Sequence, residues 1–364
     1  MLSSSPTSAY FFIDRSGGIA GMIQRRYGIG VFLIVFMTQV WGLDAQAEGM
    51  FAKLATTLPP DHPTSVSLTS FQQRIEAALD GQLHIQLFPA SQLGSAQEIL
   101  EGLQFGSIEL GVLSSELIAS YAPSLAAISM PYVFRDTAHC FRVLDGPIGR
   151  RMLNSLEQWY LVGLGFLNAG TRNLATLSNP LTTPHDLVGL RIGIICTRRD
   201  YDCQENPTLE SLVLSLQAMG AQVQVIPPEA SATGVEAEAL DGVEGTLRDL
   251  LSLSQATTVS LYMTYDRHTA VPDVLVASKR WFDALAPDVQ ATLREVASTT
   301  TQHQRTLWEQ FVMETLDVFE SQGVQVETVE RGPFRQAVQP VYTRMTDRLG
   351  PEFSAIIDAI RAVK

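Results

Sequence analysis

The chain has 364 residues, of which 46% are hydrophobic and 17% charged, and this composition excludes a disordered or low-complexity protein. It carries 25 Lys and Arg against 38 Asp and Glu, a net charge of −13 with no compensating basic run, which argues against nucleic acid and anionic membrane surfaces as partners. The length allows roughly two domains of about 150 residues. Three cysteines are too few for a disulfide framework.

The amino-terminal region has the pattern of an export signal. Arg25 and Arg26 precede the apolar stretch Ile29–Trp41, and Ala45-Gln46-Ala47 supplies a small-residue cleavage site. The apolar stretch has 13 residues, fewer than the ~20 that a membrane helix needs. The pattern predicts a signal peptide over residues 1–47, with Met22 as a second candidate start and an uncleaved membrane anchor as the alternative. The mature protein would then be periplasmic and begin at Glu48.

Short apolar segments alternate with helical ones along the rest of the chain, which indicates α/β layering. Ser95 with Glu98 three residues later is a capping box that opens a helix over Ser95–Gln104. A second amphipathic helix is predicted over Val66–Leu79, and Pro123–Phe134 is predicted as a loop. The predicted strands are Phe51–Thr56, Leu83–Phe88, Ile108–Leu113, Leu161–Leu167, Arg191–Cys196, Gln222–Ile226, Thr257–Thr264 and Asp273–Ala277.

One predicted helix is unusually long. No Pro or Gly interrupts Asp288–Gln322, apolar residues keep a helical spacing, and Gly323 supplies a stop. Such a helix would span about 50 Å, more than one domain, and would form a strut shared by two lobes. Its polar middle, Ser298–Gln304, is expected to be the part least covered by core. Gly332–Leu349 and Pro351–Val363 are predicted to close the chain as two further helices.

Motifs for catalysis and for cofactors are weak in this sequence. There is no HExxH and no GxSxG pattern, so nothing indicates a hydrolytic centre or a metal site. Gly163, Gly165 and Gly170 resemble half of a dinucleotide fingerprint, but the third glycine is misplaced, which favours strand-edge packing over cofactor binding. The sequence therefore predicts a protein that is not an enzyme and that carries no cofactor and no metal.

Two features have open alternatives. Cys196 and Cys203 could close a small disulfide loop around Arg198 and Arg199 in an oxidising compartment, or they could be unrelated structural thiols. Arg172 follows an apolar strand within a polar run. It is either an exposed surface arginine or a guanidinium directed at a ligand carboxylate.

Several motifs, in order and spacing, cover nearly all of the mature chain. They are His62-Pro63, Leu87–Gly94 (LFPASQLG), Gln104–Glu109 (QFGSIE), Met130–Phe134 (MPYVF), Gly170–Asn173 (GTRN), Asp186–Ile192 (DLVGLRI), Leu240–Glu244 (LDGVE) and Ser278–Leu285 (SKRWFDAL). Together they resemble the substrate-binding proteins of TRAP transporters of the DctP type.

The resemblance implies an α/β, two-lobed periplasmic binding protein fold with a hinge and one long helix spanning both lobes. Such proteins close over a small organic acid in the interlobe cleft and deliver it to a membrane permease. The implied first lobe is 48–168 plus about 270–305, and the second is 169–269 plus about 306–330. Residues 331–364 are expected to form helices that pack across the lobes.

The resemblance also implies which residues bind the ligand, and where this chain departs from its relatives. Arg172 matches a cleft arginine and is expected to hold a ligand carboxylate through its two-donor fork, serving the cleft rather than the core. A second family arginine is replaced by Gly193, with Arg191 two positions earlier, and the family's Glu-Asn-Pro becomes Glu244-Gly245-Thr246. The predicted ligand-binding residues are Thr57, Ser114, Arg172, Asn173, Arg198, Arg199, Glu244 and Gly245.

The function implied is that of an extracytoplasmic solute receptor that works with the small and large membrane subunits of a TRAP transporter. The alternatives are a periplasmic sensor protein that presents its ligand to a signalling partner, a receptor for a ligand that is not a carboxylate, and, weakest, an exported enzyme. A homodimer stays open.

Overall fold

Two β-sheets organise the residues that the computed structural model describes, 49–196 and 206–364. The first sheet has the strand order β2-β1-β3-β10-β4. Strands β1, β2 and β3 are mutually parallel, and β10 runs antiparallel to both β3 and β4. The strands are β1 (Met50–Ala55), β2 (Leu83–Phe88), β3 (Leu110–Ser114), β4 (Leu161–Leu167) and β10 (Asp273–Ser278).

The second sheet has the order β11-β9-β5-β8-β6-β7. It mixes parallel pairs (β6 with β7 and β8, β9 with β11) with antiparallel ones (β5 with β8 and β9). The strands are β5 (Thr171–Thr176), β6 (Arg191–Ile195), β7 (Gln222–Ile226), β8 (Gly242–Thr246), β9 (Tyr262–Ala270) and β11 (Gln325–Glu327).

The chain passes between the sheets at three places, namely two neighbouring extended segments and, further on, the long helix Pro287–Ser321 between β10 and β11. Residues 168–170 join β4 to β5, and residues 271–272 join β9 to β10. The predicted two-lobed α/β fold is confirmed, with one sheet in each lobe and these segments as the crossings. All strands of the first sheet fall within the predicted first lobe, and those of the second sheet within the predicted second lobe. The exact limits of the lobes stay a prediction.

Helices cover both sheets. They are α1 (Pro63–Ala78), α2 (Ala96–Phe105), α3 (Ser115–Ala119), α4 (Thr137–Leu144), α5 (Pro147–Ser155), α6 (Pro207–Ala218), α7 (Pro228–Glu236), α8 (Leu247–Ala256), α9 (Lys279–Phe282), α10 (Pro287–Ser321), α11 (Arg331–Ala337), α12 (Gln339–Leu349) and α13 (Pro351–Ala362). Short 3₁₀ turns occur at Pro123–Ser129, Leu156–Trp159 and Pro184–Leu187. Within the described ranges, no helix combines the length and the apolar character needed to cross a bilayer.

Helix α10 is the predicted long helix. Its 35 residues contact α1 and β4 of the first lobe and α8 and β11 of the second. The expectation for its polar middle is wrong, because Gln304, Thr300 and Thr301 are buried. The Gln304 side chain accepts from the backbone N–H of Asn168 (2.8 Å) and donates to the Asn168 carbonyl (2.7 Å) and to Thr64 Oγ1 (3.1 Å). The polar middle is therefore the part of the helix that holds a crossing segment.

Other differences from the predicted elements arise where polar residues are buried. Strand β5 was not predicted, because the buried Arg172 and Asn173 interrupt its apolar pattern. Strand β9 begins at Tyr262 rather than Thr257 and continues to Ala270. The loop predicted over Pro123–Phe134 contains a buried 3₁₀ turn.

Candidate ligand-binding cleft

A cleft of about 730 Å³ lies at the carboxyl ends of parallel strands from both sheets. The residue after β1 (Thr56), the last residue of β3 (Ser114) and the last residue of β8 (Thr246) all line it. Such ends are where open α/β sheets place their ligands. Ala169 and Val271 line the cleft from the two crossings, and Trp308 of α10 closes one wall.

Arg172 lies at the inner wall of the cleft and is almost fully buried. Its Nε donates to Glu244 Oε1 (2.6 Å), and its Nη2 donates to Glu244 Oε2 (2.8 Å) and to the Ile195 carbonyl (2.7 Å). Its Nη1 lies 3.7 Å from Glu116 Oε1. The two-donor fork of Arg172, which was expected to hold a ligand carboxylate, therefore binds Glu244 instead. Nη1 lies beside Glu116, another residue of the cleft lining. Arg172 consequently serves the core as well as the cleft.

A chain of buried polar groups continues behind Arg172. His268 places Nε2 2.9 Å from Glu244 Oε1 and Nδ1 3.0 Å from Asp266, whose Oδ2 accepts from the Tyr132 hydroxyl at 2.6 Å. Burial alone would raise the pKa of Glu244, but the charge of Arg172 and the hydrogen bond from His268 lower that pKa to about 2. Burial alone would lower the pKa of His268, but Asp266 and Glu244 raise it to about 9. His268 is therefore an imidazolium between two carboxylates.

The predicted site residues divide into two groups. Thr57, Ser114 and Arg172 line the cleft, and the Ser114 hydroxyl also caps α3 by accepting from the Leu117 N–H. The remaining described ones are buried behind the cleft wall: Glu244 pairs with Arg172, Asn173 accepts from the backbone N–H of Arg267, and Gly245 faces Asp249 and Ile195 within β8.

Gly193 does not border the cleft, so the arginine that relatives carry at this position is not missing from the cleft wall. A Cβ on this residue would lie 2.7 Å from Ile226 Cδ1 and 2.9 Å from Leu240 Cδ1, so the position faces the apolar core of the second lobe. Arg191 is exposed and makes a bidentate pair with Asp241 at 2.9 and 2.7 Å. Neither position brings a cation to the cleft.

The cysteine segment is described only at its start. Cys196 is disulfide-bonded, and Cys140 is a buried free thiol. Cys203, Arg198 and Arg199 lie outside the described residues, so the Cys196–Cys203 pairing and a role for the two arginines stay predictions.

Sequence reasoning missed several residues that line the cleft. They include His62, Glu116, Arg248, Asp249, Asp273 and Trp308. A signal existed for Asp249, because Thr246 and Asp249 have the spacing of a capping box, and the structure contains that box at the start of α8. Burial raises the pKa of Asp249, against the opposing effects of Arg172 and Thr246. For Glu116 and Asp273 no local signal existed, because only the assembly of the first sheet brings them to the cleft.

The lining of the cleft mixes cationic, anionic and neutral polar side chains. No group of three or more His, Cys, Asp or Glu suited to a metal ion occurs in the part of the chain that the structure describes. Instead, cationic side chains (Arg172, Arg248), carboxylates (Glu116, Asp249, Asp273) and hydroxyls surround one open volume. Two lobes joined by paired crossings, with such a cleft between them, define a solute receptor.

The comparison with known families agrees with this class. The chain belongs to the family described as bacterial extracellular solute-binding protein, family 7 (DctP), whose model matches residues 54–349. The resemblance noted in the sequence is thereby confirmed, and the chain is a TRAP-type solute-binding protein.

Individual relatives are similar over most of their length. The 2,3-diketo-L-gulonate-binding periplasmic protein YiaO of Escherichia coli K12 is 27% identical over 300 residues, which cover 82% of this chain and 88% of YiaO. A TRAP periplasmic solute-binding protein from a Bradyrhizobium species, in complex with D-galacturonate, is 29% identical with a TM-score of 0.71, covering 85% of this chain and 99% of that one. One from Citrobacter koseri with bound D-glucuronate is 27% identical with a TM-score of 0.71, covering 86% and 100%.

Proposed function

We propose that this protein is the extracytoplasmic receptor of a TRAP transporter and that it captures a sugar acid, a polyhydroxylated molecule with one carboxylate. The observation that carries the proposal is the mixed lining of the cleft, which presents guanidinium groups and carboxylates to the same volume. A guanidinium binds a ligand carboxylate, and side-chain carboxylates accept hydrogen bonds from ligand hydroxyls.

The acidic residues of the lining favour a sugar acid over a dicarboxylate. Glu116 and Asp273 would repel a second ligand carboxylate, whereas a hydroxyl in the same place donates to them. The volume of about 730 Å³ is in the range usual for small-molecule sites. The relatives named above also support a sugar acid as the ligand, since their ligands are galacturonate, glucuronate and diketogulonate.

Membership of this family also supports the proposed membrane partners and argues against the alternative functions. Its members are receptors rather than enzymes, and the sensor alternative is not favoured. Delivery to small and large TRAP membrane subunits is part of the proposal. A homodimer stays a prediction.

The export of this chain to the periplasm is proposed from the signal-like segment, residues 1–47, which lies outside the described residues. We expect the exported protein to begin at Glu48. Amino-terminal sequencing of protein from the periplasmic fraction tests this, and retention of residues 1–40 would contradict it.

A thermal-shift panel tests the ligand class. D-glucuronate, D-galacturonate and 2,3-diketo-L-gulonate are compared with the neutral sugar D-galactose and with succinate. We expect at least one sugar acid to raise the Tm, because a ligand at 100 times its Kd stabilises the folded state by about 2.7 kcal/mol. Stabilisation by succinate alone would indicate a dicarboxylate receptor, and no stabilisation by any acid would refute the proposal.

A further inference from the structure

We propose that Arg248 is the residue that binds the ligand's carboxylate and so determines which way the ligand lies in the cleft. The inference rests on the proposed function above and concerns a side chain that no sequence motif pointed to. Arg248 is the second residue of α8, and its side chain lines the cleft.

The first observation is that Arg248 has no partner among the residues that the structure describes. Its side chain is exposed, and it makes no ion pair or side-chain hydrogen bond with any residue in the described ranges. Arg172 and Arg191, in contrast, each have a carboxylate in bidentate contact. A guanidinium that faces a cleft with its fork unused can take a ligand carboxylate with both donors.

The second observation is that the other cation of the cleft cannot offer the same fork. Nε and Nη2 of Arg172 are occupied by Glu244 and Ile195, so the two-donor fork of Arg172 is already used within the protein. His62, on the opposite wall, is not a cation at neutral pH, because burial and the nearby charge of Arg248 lower its pKa to about 4. Among the described residues that line the cleft, Arg248 is thus the cation that can offer two parallel guanidinium donors to a ligand carboxylate.

The third observation is that Arg248 occupies an unfavourable place on its helix. The first turn of a helix carries partial positive charge, so a cation there opposes the helix dipole. Asp249 serves the helix as its capping-box residue, but its carboxylate is directed to the backbone N–H and hydroxyl of Thr246. A ligand carboxylate held by Arg248 beside this first turn would relieve the repulsion.

The geometry then gives the ligand one orientation. The carboxylate lies towards α8 in the second lobe, and the hydroxyl-bearing end lies towards Glu116 and Asp273, which extend from the first sheet. Arg172 Nη1, which is 3.7 Å from Glu116 Oε1, would then lie near the hydroxyl-bearing end. Both lobes would therefore contact the ligand, which is what closure of two lobes around a ligand requires.

Calorimetry with D-glucuronate and D-galacturonate tests the role of Arg248. The variants are Arg248→Gln, Arg248→Lys and, as a control with the same charge change on an exposed helix position outside the cleft lining, Arg74→Gln. We expect the Kd to rise about tenfold or more in Arg248→Gln, less in Arg248→Lys, and not at all in Arg74→Gln. The Tm without ligand should not fall in any of the variants, because neither arginine is buried and Arg248 opposes the dipole of its helix.

The outcomes separate the inference from the proposed function. If the wild type binds a sugar acid and Arg248→Gln binds it equally well, the inference is wrong while the proposed function stands. An equal loss in Arg74→Gln would also overturn it, since the effect would then come from net charge. A wild type that binds no sugar acid would overturn the proposed function, and the inference with it.

Discussion

Replacing Arg172 with methionine should lower the free energy of unfolding by about 3–5 kcal/mol, in addition to weakening ligand binding. The reason is that Glu244 is fully buried and receives two hydrogen bonds from Arg172, at 2.6 and 2.8 Å. Without the guanidinium, the carboxylate would keep only His268 as a partner of opposite charge. Urea denaturation of the wild type and the variant measures the loss.

A double variant shows whether Glu244 is the cause. Arg172→Met with Glu244→Gln removes both charges, so we expect most of the lost stability to return. Sugar-acid affinity should remain reduced at least tenfold, because Arg172 lines the cleft. If the double variant is as unstable as the single one, the stabilising role of the pair is wrong. If affinity is unchanged in both, Arg172 does not contact the ligand.

Replacing His268 with glutamine should cost about 3 kcal/mol at pH 6, and this cost should shrink as the pH rises. Asp266 and Glu244 raise the pKa of His268 from 6.5 to about 9, so the folded state binds its proton more tightly than the unfolded state does. The resulting stability is fully present below pH 6.5 and is lost as the pH rises through about 9. Unfolding measured from pH 6 to 10 should show the two proteins converging.

A control variant and measurements at low pH complete this experiment. His303 is exposed on the long helix α10, and His303→Gln should leave the pH profile unchanged. Glu244 has the opposite pH dependence, because its pKa is lowered from 4.5 to about 2 in the folded state. Its contribution to the free energy of unfolding is therefore present above pH 4.5 and lost as the pH falls through about 2. A constant difference between wild type and His268→Gln across pH 6 to 10 would contradict the charged state of His268.

Elements defined by a local pattern could be predicted from the sequence. Helix α10 was placed to within one residue, because the absence of Pro and Gly and the stop at Gly323 are properties of the segment itself. The capping box at Ser95 was found for the same reason, and the structure contains both of its hydrogen bonds. The two-lobed architecture followed from the order of family motifs rather than from any single element.

The interior of the site could not be predicted in this way. Arg172 lines the cleft, but its partner Glu244 is 72 residues away on a neighbouring strand, and His268 joins them from a third strand. Such pairings depend on strand register, which alternating hydrophobicity does not reveal when the buried residues are charged. Gly193 could not be interpreted correctly either. Its position matches that of a family arginine, but the match does not show whether a side chain there points to the cleft or to the core.

The contact between Gln304 and Asn168 restricts where the two lobes can bend. Because the side chain satisfies both backbone groups of Asn168, that residue moves with the long helix rather than with either sheet. At the second crossing Pro272 has its φ angle fixed by its ring. Gly170, with φ of +89° and Trp308 Cζ2 2.8 Å from where a Cβ would be, has a backbone freedom that no other residue could supply there. At the first crossing we therefore expect rotation of the lobes to use the torsions of Ala169 and Gly170, beside the cleft.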